Sequence, residues 1–229
     1  MRIAEIFYSI QGEGLLAGVP SIFIRTSGCN LRCHWCDTPY ASWKPEGPEM
    51  SVSKLLKRIS EWNCNHIVLT GGEPMIAPDL SELATVLKKQ NKHITIETAG
   101  TIPPNDIPCD LASLSPKLSN STPAAARDPA WAKKHEATRL QPEVISEWIR
   151  KYPFQLKFVV SSENDLAEIK SLLLKLPKIS ADRVLLMPEG VDTQTLAARS
   201  PWLVEICKRE GFRFCPRLHI DLFGHKRGT

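Results

Sequence analysis

Cys29-Asn30-Leu31-Arg32-Cys33-His34-Trp35-Cys36-Asp37-Thr38 is the stretch on which the reading of this chain turns. Three cysteines recur at spacings of four and three. The apolar run Ser21 to Ser27, a predicted strand, leads into them through Gly28. Three thiolates on a short loop form a metal clamp, and three local ligands leave one coordination position for something else.

Working outward, polar and glycine residues gather after successive apolar runs. His66 to Leu69 is a short buried strand followed by Thr70-Gly-Gly-Glu-Pro74. His93 to Ile96 is followed by Glu97-Thr-Ala-Gly-Thr101, Asp110 to Leu114 by Ser115-Pro-Lys117, and Arg183 to Met187 by Pro188-Glu-Gly190. Between them lie helical periodicities, including Val52 to Trp62 and Asn164 to Leu176. Asp79 and Glu82 form a box-like cap, and Ser200-Pro201 reads as the start of a fresh helix. Phe212 to Cys215 reads as a last strand. Parallel strands need helical crossovers, so this alternation predicts an α/β fold with a parallel sheet and helices outside. Sites in such folds form at the C-terminal ends of strands. Several polar loops therefore converge on one site.

The 229 residues fit one domain of this kind, read over 1–229. Residues 118–138, rich in Ser, Ala, Pro and Lys without periodicity, read as a surface excursion, partly mobile. Residues 212–229 read as a C-terminal strand and a basic tail. A formal charge of +4 suits anionic small molecules and does not point to nucleic acid. No run of 18 apolar residues is present to span a membrane, and Met1 to Ile6 is unlike a secretory signal. Seven cysteines, three of them clustered, fit a reducing cytoplasm better than a disulfide framework.

A structural zinc site needs four closed ligands, usually as two pairs. The only local fourth candidate, His34, sits between two ligand cysteines, and Cys64, Cys109, Cys207 and Cys215 are isolated. An iron–sulfur cubane with one open iron suits three thiolates better. The spacing by itself leaves both readings open.

Cys29-x-x-x-Cys33-x-x-Cys36, with Trp35 before the last cysteine, resembles the signature of the radical S-adenosylmethionine superfamily, and Thr70 to Pro74 resembles its GGE motif. Gln11-Gly-Glu-Gly14, Arg25, Cys36-Asp-Thr38, Glu97-Thr-x-Gly-Thr101, Ser115-Pro-Lys117 and Arg217-x-His219 together resemble the 7-carboxy-7-deazaguanine synthase family along nearly the whole chain. The resemblance implies a partial parallel β/α barrel of the radical SAM type, of about six units since the chain is short for eight. It implies a 4Fe–4S cluster on Cys29, Cys33 and Cys36. The open iron takes S-adenosylmethionine, whose methionyl amine meets the Gly71-Gly72-Glu73 backbone and whose reductive cleavage yields a 5′-deoxyadenosyl radical. Trp35, Asp37, Ser115 and Lys117 match the cofactor segment, and Glu97 and Glu189 lie at strand ends suited to ribose or adenine.

The implied reaction is a lyase step in the pathway to queuosine. It converts 6-carboxy-5,6,7,8-tetrahydropterin to 7-carboxy-7-deazaguanine and ammonia. No catalytic side chain is implied beyond the cofactor. Ile10, Gln11, Gly12, Glu13, Arg25, Thr70 and His219 match substrate contacts. A guanidinium such as that of Arg25 suits the substrate carboxylate, and the Gln11 amide suits a pterin edge. Thr38 matches a Mg2+ ligand. Family habit implies a homodimer, and a flavodoxin-type protein is a plausible electron donor. The family often has Asn where this chain has Ala99. Two other readings are a glycyl-radical-enzyme activase, which shares the cysteine motif, and a zinc-stabilised, non-enzymatic binding module.

Overall fold

A computed structural model describes residues 1–126 and 128–229. One sheet holds β1 (Ile3–Ile10), β2 (Pro20–Thr26), β3 (His66–Gly71), β4 (His93–Thr98), β5 (Leu111–Leu114), β6 (Phe154–Val160), β7 (Val184–Pro188) and β8 (Arg213–Phe214), in chain order. From β2 to β8 every neighbouring pair is parallel. The sheet is open, as a partial barrel requires. β8 is shorter than the predicted span of residues 212–215.

The run Ile3 to Ile10, read from sequence only as a lead-in, is a strand antiparallel to β2. Its connection, Gln11 to Val19, is too short for a helical crossover, so it must turn back on itself. The turn closes through Gln11 N to Val19 O at 2.8 Å and Gly18 N to Gln11 O at 2.7 Å.

The helices are α1 (Val52–Ile59), α2 (Leu80–Lys89), α3 (Pro129–Thr138), α4 (Pro142–Lys151), α5 (Asp165–Leu173), α6 (Thr193–Glu210) and α7 (Leu218–Phe223). Strand alternation divides the sheet into two unlike faces. Ile22, Ile24, Ile67, Leu69, Ile94, Ile96, Leu156, Phe158 and Leu186 form one buried cluster with Leu55, Leu83, Leu87, Trp148 and Leu172 of the helices. Burying each such side chain contributes about 1.5–3 kcal/mol. The alternate positions carry Phe7, Phe23 and Val68, then Val159, Leu185 and Met187, as two small clusters. Polar residues share that face: Arg25, Thr70, Glu97, Ser113 and Lys157. The apolar face secures the fold, and the mixed face holds the site.

Two local readings are corrected, and one is filled in. Asp79 precedes α2 in a left-handed conformation, φ 63°, and makes no side-chain cap. Its carboxylate lies instead 3.6 Å from the amino terminus. Pro201 does not begin a helix; it lies inside the continuous α6. It has no N–H to offer the preceding turn, but Leu196, Leu203, Ile206 and Cys207 bury the helix on either side of it. Within 118–138, Ser119–Ser121 form a 3-10 turn and α3 follows, capped by the Asp128 carboxylate, which accepts from Trp131 N at 3.0 Å. The helix lacked an apolar stripe because what it buries is Ala132 and His135. Position 127 of that excursion lies outside the described residues.

Candidate active site

The loop that follows β2 is tied at its base, where Gly28 N donates to Ala41 O at 2.7 Å and Glu73 N donates to Gly28 O at 2.9 Å. Cys29, Cys33 and Cys36 line one cavity together with Trp35, Thr70, Gly71, Gly72, Ser115 and Lys117. Cys29 Sγ accepts from Leu31 N at 3.3 Å, and Cys36 Sγ lies 3.0 Å from Ser42 Oγ. Trp43 Nε1 donates to Cys33 O at 3.0 Å. Burial pushes the Cys29 thiol up to about 11 and the Cys33 thiol up to about 12. Both would be thiols unless a positive centre held them as thiolates. Among the described residues, no three His, Cys, Asp or Glu side chains gather as a single-ion site. The cavity's donor set nevertheless suits a wider group. Three sulfurs line it with two glycines, N–H and O–H groups reach two of the sulfurs, and none of the other four cysteines lines it. These residues fit a cluster with one open position.

Gly71 and Gly72 end β3 where no side chain fits. A Cβ on Gly72 would meet Gly28 O, Ala41 O at 2.7 Å and Cys29 Cβ at 2.7 Å. Glu73 does not line the cavity and is fully buried. It accepts from Thr98 Oγ1 at 2.8 Å, Ala99 N at 2.9 Å and Met75 N at 3.1 Å, locking the end of β3 to the end of β4. Burial raises its pKa, and those three donors oppose the rise.

A second cavity is lined by Ile10, Gln11, Gly12, Arg25, Phe7, Phe23, Tyr40 and His219. Arg25 Nε donates to Glu5 Oε2 at 2.9 Å, using one of its five donors, and Tyr40 OH donates to the same oxygen at 2.7 Å. The C-terminal segment docks back here: Leu218 N donates to Gly12 O at 2.9 Å, and a Cβ on Gly12 would lie 2.7 Å from His219 Cγ. Glu13, Asp37, Thr38 and Glu97 line both cavities, so the two share a wall.

That wall is an ionic network, buried at Arg217 and Lys157 and reached by solvent at Asp37. Glu13 pairs with Lys157 and, at 3.1 Å, with Arg217 Nε. Arg217 also pairs with Asp37 and donates to Gly190 O. Burial alone would raise the Glu13 carboxyl, but Lys157 and Arg217 outweigh it and hold the group far below the usual range. The Arg217 and Lys157 cations are stabilised in return.

Most residues singled out in the sequence come together here, with three placed differently. Glu13, read as an acceptor for a substrate edge, lines both cavities, and its oxygens also meet two cations. Thr70, read as a substrate contact, lines the cysteine cavity and not the Arg25 cavity. Glu97, read as a ribose or adenine contact, lies at the junction and accepts from Gln11 Nε2 at 3.1 Å. Glu189 lines neither cavity and is held by Arg199. Lys117 Nζ turns to Ser115, 2.6 Å from its carbonyl oxygen and 3.0 Å from its hydroxyl. Sequence reasoning missed Glu5, Tyr40, Lys157 and the ionic role of Arg217. Lys157 alone carried a signal, a charge inside the apolar run Gln155 to Val160.

Comparison with known proteins supplies the remaining finding. Residues 23–117 match the Radical SAM superfamily. The chain is 48% identical over 230 residues to a 7-carboxy-7-deazaguanine synthase of Rhodopirellula baltica, covering 100% of this chain and 89% of that protein. It is 44% identical to one of Halobacterium salinarum, covering 97% and 90%. The crystal structure of QueE from Escherichia coli superposes with a TM-score of 0.70 at 25% identity, over 95% of this chain and 94% of that one.

Proposed function

This chain belongs to the 7-carboxy-7-deazaguanine synthase family of radical S-adenosylmethionine enzymes, and on that premise we propose how its two cavities divide the work. The observation that carries the reading is the shared wall. A cysteine-lined cavity and an arginine-containing cavity meet across Glu13, Asp37, Thr38 and Glu97. A cofactor in the first would face a substrate in the second.

In this reading Cys29, Cys33 and Cys36 hold a 4Fe–4S cluster, and Gly71, Gly72, Ser115 and Lys117 cradle S-adenosylmethionine. Once bound, these groups supply the one-electron chemistry that activates a substrate C–H bond. The chain's own residues bind, orient and exclude water. Arg25, held by Glu5, which Tyr40 fixes in turn, receives the carboxylate of 6-carboxy-5,6,7,8-tetrahydropterin. Gln11, Gly12, Ile10 and His219 border the ring, and Thr38 holds Mg2+ between the cavities. Glu13 acts through the wall it anchors. The reading extends to one domain over 1–229, a homodimer, a cytoplasmic location and a flavodoxin-type donor. No described helix is long and apolar enough to cross a membrane. Similarity along the whole chain favours neither the activase nor the zinc module.

The test is anaerobic reconstitution followed by assay of the reduced carboxypterin with S-adenosylmethionine, reductant and magnesium. A deazapurine carboxylate and ammonia are expected; their absence would overturn the activity. Replacing Arg25 by Ala should raise KM roughly 50-fold, as loss of a charged hydrogen-bond pair implies, with a smaller change in kcat. An unchanged KM would remove Arg25 from carboxylate binding.

A further inference from the structure

The cysteine loop contains no helix or strand between Gly28 and Ala41, so its polar groups must find partners elsewhere. Four of them find partners in the excursion, one being His34 Nε2, which lies 2.7 Å from Asn120 O. Arg32 N donates to His135 Nδ1 at 3.1 Å, His34 N donates to Ser121 O at 2.9 Å, and Trp35 Nε1 donates to Asn120 O at 2.9 Å. The two backbone amides belong to the residues on either side of Cys33. The Arg32 guanidinium also stacks on Trp131 at 4.1 Å, while donating to Cys29 O at 2.8 Å.

His135 is fully buried, and both ring nitrogens are engaged. Because Nδ1 accepts from Arg32, the proton sits on Nε2, 2.9 Å from Ser121 Oγ, and that hydroxyl donates to Leu118 O at 2.6 Å. Burial pushes the imidazole down to about 4, which keeps Nδ1 an acceptor at neutral pH. The far side is anchored as well. Asn120 Nδ2 donates to Asp165 Oδ2 at 2.8 Å and to Val159 O at 3.1 Å, and Ser119 N donates to Glu168 Oε2 at 2.8 Å. The cysteine loop is thereby linked to α5 and β6.

We propose that the segment carrying Asn120, Ser121 and His135 is a brace for the cysteine loop, and that His135 is a positioning residue that fixes Cys33 through the Arg32 amide. The inference rests on the reading of Cys29, Cys33 and Cys36 as cluster ligands. Residues just outside the ligand set commonly change metal affinity 10–100-fold.

The test compares His135→Leu, which removes the acceptor, with His135→Asn, whose side-chain oxygen can take the place of Nδ1. Leu172→Ala in α5 serves as a core-destabilised control. Iron release from the reconstituted full chain to a chelator is one readout, and deuterium exchange of the Arg32 and His34 amides in the metal-free chain is the other. His135→Leu should release iron about 10-fold faster and exchange the Arg32 amide faster, with His135→Asn and Leu172→Ala close to wild type. Equal iron release and equal exchange in His135→Leu would overturn the brace, as would equally fast release in Leu172→Ala. If His135→Leu does not fold, Ser121→Ala reads the same link, with a smaller acceleration expected and no acceleration counting against it. If the wild-type chain takes up no iron, the cluster reading fails; the Arg32 exchange rate then still decides whether the brace exists.

Discussion

Replacing Arg217 by Ala should destabilise the protein by about 1–3 kcal/mol, because it removes a charged hydrogen-bond partner from Glu13, Asp37 and Gly190 O, while solvent reaches Asp37, whose side chain is 38% exposed. Arg217 is 7% exposed and meets Glu13, Asp37 and Gly190 O through different nitrogens. Glu13 would retain Lys157, while Asp37 would lose its guanidinium partner. A shift of that size is a large part of ordinary domain stability and is read from urea unfolding. Arg217→Lys should fall between, since one ammonium cannot span three acceptors arranged around a planar fork. Activity should drop by more than about 100-fold, as for misplacement of a reacting pair by an ångström, because Glu13 and Asp37 line both cavities.

The same variant has a pH signature. The folded Glu13 carboxyl is held far below its unfolded value. Its stabilising contribution is therefore complete above the unfolded pKa, near 4.3, and is lost as pH falls towards the folded value. Without Arg217 the depression is smaller. The unfolded titration is common to both proteins, so the stability gap between wild type and Arg217→Ala should be constant at neutral pH and narrow as pH falls through the variant's own folded Glu13 pKa. A gap that widened with acid would show that Glu13 does not depend on Arg217.

That network marks the boundary of what the sequence could reveal. Strand alternation, the cysteine loop and the Thr70 to Pro74 turn were legible because each is a local pattern with a fixed period or spacing. The partners of Glu13 lie 144 and 204 residues away, and Asp37 meets Arg217 across 180. No local rule pairs them. The sequence therefore showed Glu13 as an acceptor without showing the two cations that its oxygens also meet. Glu5 and Tyr40 were invisible for a related reason: each is an ordinary polar residue until β1 turns back against β2 and brings Glu5 beside Arg25. The helix within the excursion went unread because its buried anchors are a histidine and hydrogen-bonded polar groups, which a hydrophobic pattern does not register.

Gly72→Ala should damage the cluster loop more than its one-methyl change suggests. The new Cβ would run into Gly28 O, Ala41 O and Cys29 Cβ. Two of these are backbone atoms of the loop's tied base, and none is the free end of a flexible side chain. Relief requires moving the Gly28–Ala41 closure or the Gly28–Glu73 link, and either movement carries Cys29 with it. Overpacking of this kind costs about 3 kcal/mol at the upper end of its usual range. The larger effect should be on cluster content, which is expected to fall below about half of wild type once a ligand is displaced, as read from iron and sulfide per chain. Gly18→Ala provides the contrast. Nothing lies within 4 Å of its added Cβ, and its only penalty is the left-handed backbone at φ +88°. It should lose about 1 kcal/mol and keep its full iron. If the two variants lost iron equally, general destabilisation would explain both, and the close approach at Gly72 would have no special bearing on the loop. If only Gly72→Ala lost it, the glycine would be needed for the room it leaves beside Cys29, since its backbone angle does not demand glycine.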